Sequence, residues 1–224
     1  MSFLRNAAKY YKDEPHQKAA WDELEARLGE DTLEWFKGAY RGVQTPPVAS
    51  KANPLKVPYF YQNDNASGQG YRECFSSSCA MLAAYFGKVT SDDQYNKFRS
   101  KYGDSTDASA QIRALTSLGL HPVFSQKGSV QDLEQEIDAG RPVAVGWLHK
   151  GTTTAPTGGG HWSVVIGYTP THFILHDPNG DADLARGGYV SHSGGDNIHY
   201  SRKNWLPRWE VEGKGTGWYL TVKP

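Results

Sequence analysis

Residues 161–178 read His161-Trp-Ser-Val-Val-Ile-Gly-Tyr168-Thr-Pro-Thr-His172-Phe-Ile-Leu-His176-Asp177-Pro178. Two β-branched and aromatic runs separated by Thr169-Pro170-Thr171 predict a β-hairpin, strand 162–168 followed by strand 172–176. Counting back from the turn sets Asp177 opposite about Ser163 and diagonal to His161. Diagonal neighbours lie ~7–8 Å apart at Cα, close enough for a carboxylate to reach an imidazole. Strand alternation points His176 away from Asp177, and His172 and His176 are assigned ordinary sheet contacts. Just upstream, Gly158-Gly159-Gly160 leave room for another backbone to approach His161 closely.

Further strands are expected over 143–148 and 218–222, and a short one over 57–61. Helices are expected over 76–86, closed by Gly87, and over 108–118 and 130–139. Helices first and strands afterward imply an α+β domain with an antiparallel sheet over residues 57–224. Before it, residues 1–42 read as a helical appendage. Ala20, Trp21, Leu24 and Leu28 recur at helical spacing after Asp13-Glu14-Pro15, and a stripe of Leu33, Phe36 and Tyr40 ends at Gly42. Residues 43–56, with Pro46-Pro47 and Pro54, have linker composition.

Twenty-four basic residues balance 24 acidic ones over 224 residues, which excludes a nucleic-acid binder relying on bulk positive charge. No stretch approaches the ~18 apolar residues of a membrane span. The first 13 residues lack the apolar run of a secretory signal, so synthesis in a cytoplasm without a signal peptide is expected.

The two cysteines fall in one expected helix. Five helical residues apart, Cys74 and Cys79 lie beyond the ~7 Å Cα limit for a disulfide. Cys79, among Ala80, Leu82 and Ala83, reads as core. Cys74 stands where a polar run, Tyr71-Arg72-Glu73, passes into the helix. At a helix N-terminus, unpaired N–H groups and the dipole favour thiolate, which makes Cys74 the candidate nucleophile. Gln62, at the end of Val57-Pro-Tyr-Phe-Tyr61, is a candidate donor of a hydrogen bond to an oxyanion, with Gln69 a nearby competitor for the role. No metal or other cofactor is expected. The run Asp177-Pro-Asn179-Gly-Asp181-Ala-Asp183 alternates oxygen ligands but lacks the sixth-position glycine and distal glutamate of a calcium loop. Strand alternation splits His161, His176 and Asp177 between faces, against a zinc site.

The order Gln62, Cys74, His161, Asp177 resembles the papain-like cysteine peptidases of the bacteriocin-processing, double-glycine leader type. The motifs that carry the resemblance are Val-Pro-Tyr-Phe-Tyr-Gln62, Cys74 with Ala80-Met81, Gly-Gly-His161-Trp-Ser-Val-Val and His-Asp177-Pro178. Glu-Cys74-Phe-Ser-Ser-Ser-Cys-Ala-Met, Tyr102-Gly-Asp-Ser-Thr-Asp-Ala, Ala155-Pro-Thr-Gly-Gly-Gly-His161-Trp and Gly217-Trp-Tyr are similar to a branch found in tailed bacteriophages. The resemblance implies a papain-like fold with Cys74 as nucleophile, His161 as general base and acid, Asp177 as orienter and Gln62 as oxyanion donor. Phe75, Gly159, Gly160 and Trp162 would contact substrate. Many members follow the nucleophile with Gly-Pro; here Phe75-Ser76 follows, so either the bulky Phe75 narrows the cleft or the backbone runs differently there, which bears on substrate preference more than on the nucleophilic chemistry.

Three functions are weighed. The first is a phage endopeptidase, an endolysin or virion-associated lysin, that cuts peptidoglycan peptides as a monomer at the cell wall or carried in the virion. The second is a protease acting on a polypeptide in virion maturation or on host protein. The third is a vestigial wall-binding or structural module, against which the intact Gln, Cys, His and Asp set argues.

Overall fold

The computed structural model describes residues 53–224. The expected appendage over 1–42 and most of the expected linker lie outside the described residues. The helices are α1 (Cys74–Tyr85), α2 (Asp92–Arg99), α3 (Ala108–Ser117), α4 (Val130–Asp138) and α5 (Arg202–Trp209). The strands are β1 (His121–Gly128), β2 (Val143–Trp147), β3 (Lys150–Thr152), β4 (Ala155–Thr157), β5 (His161–Tyr168), β6 (His172–His176), β7 (Asp181–Ala182), β8 (Tyr189–Ser191), β9 (Ile198–Ser201) and β10 (Gly217–Lys223).

Six of the strands form one antiparallel sheet in the order β1-β10-β2-β5-β6-β9. This is the α+β architecture the sequence pattern predicts. The central strands β2 and β5 are buried along almost their whole length, while the edge strand β1 is largely exposed. Such full burial requires an apolar helix as cover. In α1, Cys79, Ala80, Met81, Leu82 and Ala83 all have no exposed surface, so the helix is apolar around its circumference and packs against β5 and β2.

Local chemistry sets the helix ends. Ser91 accepts from Gln94 N–H to start α2, Asp107 accepts from Ser109 N–H before α3, and Ser129 and Asp132 form a reciprocal capping box on α4. Helices α1 and α5 are the contrast: no side chain caps the first turn of either.

The sequence pattern misses α2, β1 and α5, together with the short strands β3, β4, β7, β8 and β9. Helix α2 buries only part of one face and is otherwise polar, so its apolar period is faint. Strand β1 is an exposed edge that contains Pro122, and α5 contains Pro207. Residues 57–61, expected as a strand, run alongside the sheet without joining any ladder among the described residues. Pro58 has no N–H to give, and the segment is tied down from the side instead. His176 Nε2–H donates to Val57 O at 2.9 Å, and Tyr59 Oη–H donates to the backbone oxygen of Asp177 at 3.1 Å. The packed chain also starts before residue 57, because Leu55 is buried and its N–H donates to Ile166 O at 2.7 Å.

Arg208 of α5 has no exposed surface. Its guanidinium donates to the backbone oxygens of Leu184, Leu148, Lys150 and Gly151 at 2.7–3.0 Å. One side chain thus pins the β2–β3 connection to the loop before β8. Arg208→Met would leave four inward carbonyls without donors at similar side-chain volume. A loss of about 3–5 kcal/mol is expected, read as a lower urea midpoint in chemical denaturation.

Candidate active site

The site gathers at the end of the sheet where β5 begins and β6 ends. Val164 pairs with His176, so the next residue, Asp177, comes level with Ser163 as the hairpin count requires. The register holds despite a bulge between Val165 and Gly167. His161 Nε2 lies 2.7 Å from Asp177 Oδ1, with both residues buried. The Cys74 thiol, at the start of α1, is the imidazole's second electrostatic partner. Burial alone would push His161 down; the charge of Asp177, its hydrogen bond and the Cys74 contact outweigh that and raise the imidazole to about 10.

Cys74 is partly exposed and Cys79 is fully buried, both as free thiols. Burial pushes the Cys79 thiol far above its ordinary range, so it behaves as core. Immediately before Cys74, buried Glu73 accepts hydrogen bonds from Asn65 Nδ2 and Ser67 Oγ and pairs with Arg99. That network fixes the loop joining Gln62 to the helix.

Gln62 is buried, and its Nε2 donates to Gly70 O at 2.8 Å. One amide hydrogen remains, and Oε1 has no partner. Its backbone N–H donates to Pro178 O at 2.9 Å, and Asn63 Nδ2 donates to Asn179 Oδ1, so the Gln62 turn docks on the loop that follows Asp177. Asp177 is itself held closely. Its N–H donates to Gly195 O, and a Cβ at Gly195 would collide with Asp177 O.

Phe75, the bulky residue that follows Cys74, is 2% exposed. Its ring lies flat beneath Trp162, with centroids 3.7 Å apart and 8° between planes. The residues after Cys74 and after His161 therefore stack, which ties α1 to β5, and it is the partly exposed Trp162 that offers a surface. A Cβ at Gly146 would meet the Trp162 ring at 2.9 Å, so glycine is required under the indole. Gly159 and Gly160 are exposed with open space around them.

Several residues around the imidazole carried no sequence signal. Trp147, His149 and Tyr189 set their rings edge-on to His161 at 5.4, 5.7 and 5.7 Å between centroids. His149 Nδ1 is buried without a partner, and burial followed by the neighbouring His161 charge pushes the ring down to about 4, so it stays neutral. Tyr200 Oη–H donates to Asp177 Oδ2 at 2.9 Å. The acidic run 177–183 does not converge. Asp177 serves His161, and Asp183 Oδ1 accepts the N–H groups of Ala185 and Arg186. Among the described residues no group of three or more His, Cys, Asp or Glu side chains is arranged to hold a metal ion. No helix among them is long and apolar enough to cross a membrane.

The arrangement can abstract a proton from a thiol and return it to a leaving group. Comparison with known proteins agrees with that chemistry. The sequence matches the Peptidase_C39 like family over residues 54–189, more than half of the chain. A comparison with curated proteins gives no match. Among solved structures, the chain is similar to one described as a C39-like peptidase from Bacillus anthracis, with 18% identity and a TM-score of 0.54 over 78% of this chain and 99% of that one. It is also similar to the peptidase domain of Streptococcus ComA, a bi-functional ABC transporter involved in a quorum sensing pathway. That match has 19% identity and a TM-score of 0.49 over 75% and 98%. At these identities the first likeness supports the fold.

Proposed function

The chain belongs to the Peptidase_C39 like family and is a cysteine peptidase, and from that premise we propose that Cys74, His161, Asp177 and Gln62 carry its catalysis. The observation that supports this most is the buried 2.7 Å contact between His161 and Asp177, on an imidazole that also interacts with the Cys74 thiol.

In this reading His161 takes the Cys74 proton, and the thiolate attacks an amide carbonyl. The oxyanion is held by the Cys74 backbone N–H at the uncapped start of α1 and by the free amide hydrogen of Gln62. The imidazolium protonates the departing amine as the C–N bond breaks, leaving a thioester. Water then gives a proton to the same imidazole, attacks the thioester and releases the acid, and the thiol is restored. Asp177 keeps Nε2–H directed to itself, so that Nδ1 is the nitrogen presented to sulfur. The open glycines before His161 and the indole of Trp162 line the approach for substrate backbone.

For substrate, the reading takes the peptide portion of bacterial peptidoglycan, cut in the wall by a phage-type enzyme. Its support is the set of motifs shared with the phage branch, around Cys74, over 102–108 and over 155–162. The domain division, with 1–42 as an appendage and a tether that ends before the packed Leu55, is part of the same proposal. Mass spectrometry of soluble fragments from purified peptidoglycan tests it. The wild type should free new amino groups without new reducing sugar ends, and Cys74→Ala should free none. Cleavage of a denatured polypeptide with the wall left intact would overturn the peptidoglycan assignment and favour a polypeptide substrate.

A further inference from the structure

We propose that Tyr200 is a positioning residue of this site, whose hydroxyl, with that of Tyr189 behind it, fixes the Asp177 carboxylate and draws off part of the charge it presents to His161. The inference rests on the reading of His161 and Asp177 as base and orienter, and deepens it. Tyr200 stands on β9, beyond the residues matched by the family, opposite Phe173 of β6.

The direction of its hydrogen bond follows from the hydroxyl's other contacts. Ala182 N–H donates to Tyr200 Oη at 3.0 Å, which uses an oxygen lone pair. The single hydroxyl proton then has two acceptors in range, Asp177 Oδ2 at 2.9 Å and Gly180 O at 3.5 Å, and takes the shorter, charged one. The two carboxylate oxygens are thus divided. Oδ1 accepts from His161 and from Asn179 N–H at 3.0 Å; Oδ2 has Tyr200 as its one short donor, since Tyr189 Oη is 3.4 Å from both oxygens.

Burial and the Asp177 charge hold the Tyr200 phenol far above its usual range, so it remains a donor at every working pH. Its ring packs on Trp147, which in turn meets the edge of His161, so the ring alone has a packing role that phenylalanine keeps. The other titratable groups facing the pair are Cys74 and His149 on the imidazole side, and Asp181, Tyr189 and Tyr59 on the carboxylate side. None of them changes in Tyr200→Phe. A carboxylate stripped of its short donor carries more charge toward Oδ1 and holds the imidazolium proton more tightly.

The test is the low-field Nε2–H resonance of His161 and its titration, followed by NMR in the full chain labelled with 15N-histidine and assigned with His161→Gln. Tyr200→Phe should move the resonance downfield and raise the titration midpoint by about one pH unit. Phe173→Leu, a core change that touches neither Oδ atom, should move neither. Incorporated 3-fluorotyrosine, a stronger donor that keeps every ring in place, should lower the midpoint, and serves if Tyr200→Phe does not fold. A Tyr200→Phe midpoint that equals that of the wild type, tracks Phe173→Leu or falls would overturn the proposal, as would no lowering with 3-fluorotyrosine. No turnover is measured, so failure of the hydrolase reading would appear separately, in the peptidoglycan and alkylation experiments.

Discussion

Cys74→Ala is expected to remove hydrolysis by at least ~10⁴-fold in kcat/KM while leaving the fold intact. The magnitude follows from the chemistry: without sulfur there is no thioester, and only binding and the oxyanion donors remain to accelerate attack by water. Stability should hardly change, because Cys74 is partly exposed and small, whereas the packing of α1 rests on Cys79, Ala80, Met81, Leu82 and Ala83. The pairing of a large kinetic loss with an unmoved melting temperature separates a nucleophile from a core thiol. Cys79→Ala should behave in the opposite sense, with lowered stability and retained chemistry.

The second large effect belongs to Asp177. Asp177→Asn preserves shape and removes charge, so that the donors converging on it from His161, Asn179 and Tyr200 meet a neutral amide. A fall of about 10³-fold in kcat is expected, because the imidazole loses both its charged partner and its fixed tautomer. Stability should fall by about 3 kcal/mol near pH 6. The pH dependence of that loss is fixed by His161. Its folded-state value, near 10, lies above the ~6.5 of an unfolded chain. The pairing therefore contributes fully below about pH 6.5 and is lost as pH climbs through the folded value. Denaturation of both proteins from pH 6 to pH 10 should accordingly show the stability gap between wild type and Asp177→Asn narrowing with rising pH.

How far the sequence led can be judged from particular residues. The hairpin from His161 to Asp177 was legible because a period of two and a Thr-Pro-Thr turn determine register, and register alone brings imidazole to carboxylate. The bulge at Ile166 leaves no trace in that pattern, yet the partners still meet. Helix α1 was legible because the apolar run from Cys79 to Ala84 is closed by Gly87, although the helix starts at Cys74, two residues before the expected 76. What stayed hidden reaches the site from remote strands. Tyr200 comes from the sheet edge at β9, Tyr189 from a three-residue strand, and His149 from the connection after β2. Short elements carry too few residues for a period, and a tyrosine on a strand reads as packing until its hydroxyl is located. Phe75 is a further case: a bulky residue after the nucleophile draws attention to the cleft, while its stack with Trp162 leaves no trace in the sequence.

The claim on which the rest depends is that imidazole and thiol act as one unit, and the rate of Cys74 alkylation by iodoacetamide at pH 6 addresses it without any substrate. Cys79 is sealed in the core, so the native protein exposes a single reactive candidate. The account predicts that Cys74 in the wild type reacts at least ~10-fold faster than a free model thiol at that pH, and that His161→Ala abolishes the excess. A wild-type rate no greater than that of the model thiol, or one unchanged by His161→Ala, would contradict it.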